Sequence, residues 1–185
     1  MKNITIETNR FLLKVLTVDI IGERYLDWLN GSNKSEYINY SIQERTIEEV
    51  RDYVASREND NSILFLGIFV RKSGEHIGNI KYEPIDFLNK YAIMGILIGD
   101  MDWRGKGVAT EVIQSSSMWL HNEYDIKQII LGVDADNQSA IKVYEKINFK
   151  VRQTPYIDTS GKNALTMVLD IGNMLYFAFG QRESI

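Results

Sequence analysis

A chain of 185 residues, 44% of them hydrophobic and 25% charged, has the size and composition of one globular domain, and a chain this long buries about 70% of the surface its unfolded form exposes. The absence of cysteine excludes disulfide frameworks, iron–sulfur clusters, thiolate zinc sites and cysteine nucleophiles, and argues against metal chemistry. The 25 acidic and 21 basic side chains are scattered and sum to -4, which leaves no footprint for a nucleic-acid backbone and no polybasic membrane patch, so a small molecule or a peptide is the expected partner.

The stretch Met1-Lys2-Asn3-Ile4-Thr5-Ile6-Glu7 lacks the apolar core and cleavage site of a signal peptide. No window approaches the roughly 18 consecutive apolar residues of a membrane span, so a soluble, cytoplasmic protein is expected. Residues 10–15 read as a short strand, and residues 19–30 as a helix that carries Ile20, Ile21, Tyr25, Leu26, Trp28 and Leu29 and stops at Asn30-Gly31. Thr46 and Glu49 have the spacing of a capping box, which opens a helix running to about residue 59. Strand patterns at 63–71, 76–83 and 91–98, separated by Ser73-Gly74 and Asn89-Lys90, predict an antiparallel meander.

Residues 107–124 place Val108, Val112, Ile113, Met118, Trp119 and Leu120 near one helical face, with Glu111, Gln114, Ser115 and Asn122 opposite. A strand at 127–133, a helix at 137–147 and strands at 149–156 and 164–170 complete the pattern. Strands and helices are mixed without strict alternation. The expectation is a single α/β domain over 1–185, a mixed and mostly antiparallel sheet with helices on both faces.

The informative stretch is an apolar strand ending in Ile96, Leu97 and Ile98, followed by Asp100, Met101, Asp102 and Trp103 and then the basic, glycine-rich turn Arg104, Gly105, Lys106, Gly107, with Val108 and Ala109 opening a helix. Backbone N–H groups at such a turn and at the orphaned first turn of a helix converge on phosphate oxygens, with the positive end of the helix dipole behind them. Gly105 and Gly107 allow close backbone approach, and Arg104 and Lys106 add charge. Taken alone, the same turn is equally well an ordinary strand-to-helix connection with two solvated cations.

The pattern Arg104-x-x-Gly107-x-Ala109 resembles the pyrophosphate-binding signature of the GNAT family of N-acetyltransferases, and Asn137-x-x-Ala140-x-x-x-Tyr144-x-x-x-Asn148-Phe149 resembles that family's next motif. Two motifs in the right order, about 30 residues apart, are far more specific than either alone. The resemblance covers residues 10–170. Trp28-Leu29-Asn30, His76-Ile77-Gly78-Asn79 and the Trp-Arg-Gly-Lys-Gly turn look most like the branch of ribosomal-protein N-terminal and amino-sugar acetyltransferases.

The resemblance implies acetyl-CoA as co-substrate, its pantetheine arm along Ile96, Leu97 and Ile98 and its pyrophosphate over residues 104–109. Asn137 would bond the arm and Tyr144 would sit near the thioester sulfur; seven residues apart, they share one helical face. Without the motif Tyr144 reads as a core tyrosine beside Ala140 and Ile147.

Deprotonating the acceptor is the larger chemical problem. An amine of pKa about 10.4 spends roughly 4.6 kcal/mol becoming neutral at pH 7, whereas an α-amino group near 8 spends about 1.4 kcal/mol. Members of the family often place a glutamate for this on one of two strands, and the matching positions here hold Ile93 and Gly132. Glu83 is the first substitute, with Asp134 and His76 behind it, although Glu83 before Pro84 also reads as a solvated strand end and His76 as a turn-adjacent surface residue. His121 reads as helix surface. Trp28, Tyr37, Tyr40 and Tyr82 are aromatic candidates for an acceptor pocket or for the core, and Asn148 stands where the family usually has glycine.

The rival function is a catalytically silent protein of the same fold that binds coenzyme A as a sensor; the missing carboxylates favour it and Tyr144 opposes it. A dinucleotide-binding domain fits poorly, since the turn is not Gly-x-Gly-x-x-Gly and follows a meander. Within the tail 171–185, residues 171–179 are too apolar for water and too short to span a membrane, so protein must cover them: either the chain's own domain or, the favoured expectation, a second subunit in a homodimer.

Overall fold

The computed structural model describes residues 4–30 and 44–172; Tyr37, Tyr40 and the tail beyond Gly172 lie outside the described residues. One eight-stranded sheet runs in the order β1-β2-β3-β4-β5-β6-β8-β7. Its strands are β1 (Thr5–Glu7), β2 (Phe11–Val15), β3 (Leu64–Val70), β4 (His76–Asp86), β5 (Tyr91–Ile98), β6 (Gln128–Asp134), β7 (Lys150–Val151) and β8 (Ala164–Asp170). Every neighbouring pair is antiparallel except β5 with β6.

Helices cover both faces, as the mixed pattern predicts. On β3 the alternation is direct: Leu64, Leu66 and Ile68 join the core under α3 (Val108–Tyr124) and α4 (Gln138–Lys146), while Phe65 joins the cluster beneath α1 (Glu23–Asn30) and α2 (Ile47–Ala55). The capping box forms as expected, with the Thr46 hydroxyl accepting from the Glu49 N–H and the Glu49 carboxylate accepting from the Thr46 N–H. Asn148 adopts φ 72°, and the N–H groups of Phe149 and Asn148 bond the carbonyls of Tyr144 and Glu145. This is a Schellman ending, in which asparagine replaces glycine at little cost.

Three local readings change. The helix expected at 19–30 breaks at Ile21-Gly22 into a 3-10 turn, Val18–Ile20, and α1. The strand expected at 149–156 shortens to β7, and Tyr156 turns to stack on Tyr91 with ring centroids 3.9 Å apart. Thr5–Glu7 adds β1, an edge strand too short to show periodicity. At the other end Ile171 is fully buried and donates its N–H to the Lys127 carbonyl, so the packed core extends past β8. Among the described residues no helix is long and apolar enough to cross a membrane.

Candidate active site

The site begins where two parallel strands part. β5 and β6 pair at Tyr91–Gln128, Ala92–Ile129 and Ile93–Ile130, and the pairing ends there although β5 continues to Ile98 and β6 to Asp134. Beyond Ile93 the edge of β5 has β4 on one side and a cleft on the other. A cavity of about 1190 Å³ opens at the parting, lined by residues 94–98, the first turn of α3, the end of β6, and Asn137, Ala140 and Tyr144. An extended, amide-bearing ligand fits such an edge because strand groups that lost a partner are ready donors and acceptors.

The glycine turn lies at the end of this edge. Asp100 caps the 3-10 turn Met101–Trp103 by accepting from the Asp102 N–H at 2.8 Å. Gly105 (φ 71°) and Gly107 (φ 74°) then adopt left-handed backbone, and Gly107 becomes the N-cap of α3 without a side chain to bond the helix. The first N–H groups of α3 have no intrahelical acceptors, and Val108, Ala109 and Thr110 of this first turn line the cavity.

What holds the turn was not legible in the sequence. Arg10 donates from its guanidinium to the Lys106 carbonyl at 2.9 Å and to Glu111 at 2.7 Å, and Glu111 also accepts from the Thr8 hydroxyl at 2.6 Å and the Arg10 N–H at 2.7 Å. Partial burial opposes ionisation of Glu111, but the bonds from Thr8 and Arg10 outweigh it and hold its carboxyl below the usual range. Glu111 is therefore a clamp between α3 and the β1–β2 turn, although the helical pattern alone places it on the solvated face. Arg104 donates from Nε to the Ile98 carbonyl at 3.0 Å, and the Lys106 ammonium sits 5.8 Å from the Trp103 ring centroid.

On α4, Asn137 is the N-cap: its Oδ1 accepts from the Ala140 N–H at 3.1 Å and the Ser139 hydroxyl at 2.9 Å, so its Nδ2 is the part left to reach a ligand. Tyr144 lines the same cavity and packs against Phe149, ring centroids 5.6 Å apart. Burial pushes its phenol up to about 12.

The candidate bases fall in different places. Glu83 is not among the residues lining the cavity; its carboxylate is bonded by Lys81 at 2.6 Å and Arg57 at 3.3 Å. Burial works against ionisation of Glu83, yet these two cations win and hold it below the usual carboxylate value, which weakens it as a base. Asp134 lines the cavity at the end of β6 and accepts from the Asp136 N–H. His76 is half-buried, not an exposed turn residue: it stacks on Phe69 at 4.7 Å, with the Trp28 and Tyr25 ring centroids 5.0 Å and 6.0 Å away. Desolvation pushes it down to about 4, against a bond with the Gly78 backbone and with help from Arg24. His121 bonds the Ile126 carbonyl at 2.9 Å, which ties down the end of α3. Tyr82 is fully buried core, bonded to Ser116 at 2.8 Å, and Trp28 packs so closely over Gly99 that a Cβ there would lie 2.0 Å from its ring.

Comparison with known proteins bears directly on this geometry. The profile of the acetyltransferase (GNAT) domain matches residues 11–150. An N-alpha-acetyltransferase of Saccharolobus solfataricus is 33% identical over 91 residues, 49% of this chain and 52% of that protein, so the chain spans about half the length of the curated relatives it matches. A spermidine N-acetyltransferase from Vibrio cholerae, solved with CoA and spermine, superposes with a TM-score of 0.76 at 18% identity over 90% of this chain and 98% of that one. A ribosomal alpha-N-protein acetyltransferase solved with coenzyme A gives a TM-score of 0.75 at 16% identity over 90% and 98%. The domain profile covers most of the chain and the solved structures share its fold: this chain belongs to the GNAT acetyltransferase family.

Proposed function

We propose that the protein transfers an acetyl group from acetyl-CoA to a primary amine of a small molecule or to a peptide N-terminus, by direct attack. The observation that carries this reading is the parting of β5 from β6 above the glycine turn, a channel with a strand edge along its wall and orphaned helix N–H groups at its mouth. The residues fit coenzyme A. Ile96, Leu97 and Ile98 would bond the pantetheine amides, Gly105, Gly107, Val108 and Ala109 would present backbone N–H groups to the pyrophosphate, and Arg104 and Lys106 would add charge at the rim. Asn137 would donate from Nδ2 to the arm.

Bound acetyl-CoA supplies an activated thioester. The neutral amine nitrogen attacks the carbonyl carbon, the C–N bond forms, and the C–S bond breaks. In balance, an ammonium and acetyl-CoA give the amide, free CoA thiol and one proton. Tyr144 is suited to donate a hydrogen bond to the departing sulfur. A phenol near 12 gives its proton to a thiolate of pKa about 8.5 only against roughly 5 kcal/mol, so its work is stabilisation instead of full proton transfer.

No described residue in the cavity replaces a glutamate at Ile93 or Gly132; Asp134 is a cavity-lining carboxylate to which water can carry the proton. The arrangement suits an amine of low pKa, whose neutral form costs little. The silent, CoA-binding reading is favoured by the residues at 93 and 132. Thiol release from acetyl-CoA, assayed against peptides, polyamines and amino-sugar nucleotides, tests the proposal: release with any amine supports transfer, and tight CoA binding without release on any of them supports the silent protein.

A further inference from the structure

The β5–β6 ladder ends at Ile93 and Ile130, and two residues beyond this last pair the parted strands carry Gly95 and Gly132, both exposed and both lining the cavity. Strand alternation puts the two glycines on the face of Tyr91, Ile93 and Ile130, whereas Tyr144 packs against the core on the opposite face, under α3 and α4. An amine that comes from the glycine face would reach the parting between two residues without side chains, with the Tyr144 phenol on the far side.

The two glycines bound this gap differently. A Cβ on Gly95 would meet no described residue within 4 Å, so that side is open. A Cβ on Gly132 would lie 3.3 Å from Cδ1 of Ile157 and 3.8 Å from the Thr159 methyl, so the β7–β8 connection takes the place that a side chain at 132 would fill. Ile157 lines the cavity and is held from three directions. Its neighbour Tyr156 stacks on Tyr91, the buried hydroxyls of Thr159 and Thr166 bond each other at 3.0 Å, and Ile157 itself packs with Ile93 on the cluster of Tyr91, Ile130 and Val168. One wall of the gap is therefore a fixed apolar side chain and the other is room. A substituent on the carbon beside the attacking nitrogen needs that room, and an apolar one gains from contact with Ile157.

We propose that the acceptor is a primary amine branched at the carbon that bears the nitrogen, with a small apolar branch, and that Gly95, Gly132 and Ile157 select it over unbranched amines. The proposal rests on the acetyl-transfer reading and narrows the substrate class of that same site.

The test uses the full chain with saturating acetyl-CoA and matched low-pKa acceptors, glycinamide, alaninamide and valinamide, with spermidine as an unbranched polyamine. One buried methyl is worth about four-fold, so alaninamide should exceed glycinamide by about that factor in kcat/KM, and spermidine should be poorer than either. Gly95 and Gly132 both keep φ outside the left-handed region, so alanine brings no backbone strain at either position. Gly95→Ala should melt like wild type and keep its coenzyme A affinity, because a Cβ stands off the sheet face and not along the strand edge, yet its alaninamide-to-glycinamide ratio should fall by about 10-fold or more. Ile157→Ala should abolish the advantage of alaninamide over glycinamide and raise valinamide relative to alaninamide, since the vacated space takes the larger branch. Transfer to glycinamide or spermidine with none to the branched amides, or an unchanged alaninamide-to-glycinamide ratio in either variant, would overturn the proposal while leaving acetyl transfer intact. Acetylation of no amine at all, with coenzyme A bound, would overturn both readings.

Discussion

Replacing Gly107 by valine separates what the glycine turn does for the fold from what it does for a ligand. Gly107 sits at φ 74°, ψ 13°, where a side chain costs about 1–2 kcal/mol and a β-branched one at least the upper figure. A Cβ there would lie 3.7 Å from the Arg10 guanidinium, ordinary contact, so the chain should still fold, although the γ-methyls press on the clamp that holds the Lys106 carbonyl. For a chain of 185 residues a loss of about 2 kcal/mol lowers Tm by about 4–8 °C. Gly74, in the β3–β4 turn, provides a matched control: it has the same φ of 74°, and a Cβ there would meet nothing within 4 Å. Both Gly107→Val and Gly74→Val should lose a similar amount of thermal stability. Only Gly107→Val should weaken coenzyme A, by about 10- to 100-fold for each charge-assisted N–H contact displaced, measured by titration calorimetry below both transitions. Equal coenzyme A affinity in the two variants would refute the pyrophosphate cradle, whatever their melting temperatures.

Tyr144→Phe should lower the single-turnover rate by about 10- to 100-fold, the worth of one hydrogen bond to a charged sulfur, with coenzyme A affinity nearly intact; an unchanged chemical step would return Tyr144 to the core. Because burial holds the Tyr144 phenol near 12, the wild-type rate should show no limb from its ionisation between pH 6 and about 10. Glu83→Gln should leave the shape of the pH–rate profile unchanged, since its carboxylate is taken by Lys81 and Arg57; a rate depressed most below the amine's pKa would restore Glu83 as the base. Its depressed folded pKa also contributes stability that is present above the ordinary value of 4.5 and lost as pH falls through the folded value, so acid unfolding of Glu83→Gln should depend less steeply on pH in that range. His76, lowered from 6.5 to about 4, binds fewer protons folded than unfolded across that interval. Stability should therefore fall as pH drops from about 6.5 to about 4, and His76→Phe should flatten this part of the curve in pH-dependent denaturant titrations.

The sequence by itself determined the elements whose signals are local. β5 and β8 occupy the ranges their alternation predicts, Thr46 and Glu49 close their capping box, and Gly107 ends one connection and starts α3, because each pattern is written within a few neighbouring residues. The two glycines and the spaced Asn137, Ala140 and Tyr144 also made the family legible. Tertiary structure alone decided the rest. The helix expected from residue 19 breaks at Gly22, and the residues on both sides of the break pack with Val50 and Val54 of α2 in one apolar cluster. Arg10 reaches Glu111 and Lys106 across about a hundred residues, and Arg57 reaches Glu83 from 26 residues away; neither partnership has a local signal. His76 reads as a turn residue until Phe69, Tyr25 and Trp28 enclose it and desolvation removes its charge. The cleft itself is the clearest case: nothing within β5 or β6 states that their ladder ends at Ile93 and Ile130, because strand parting is a property of the pair and of the helices packed beneath it.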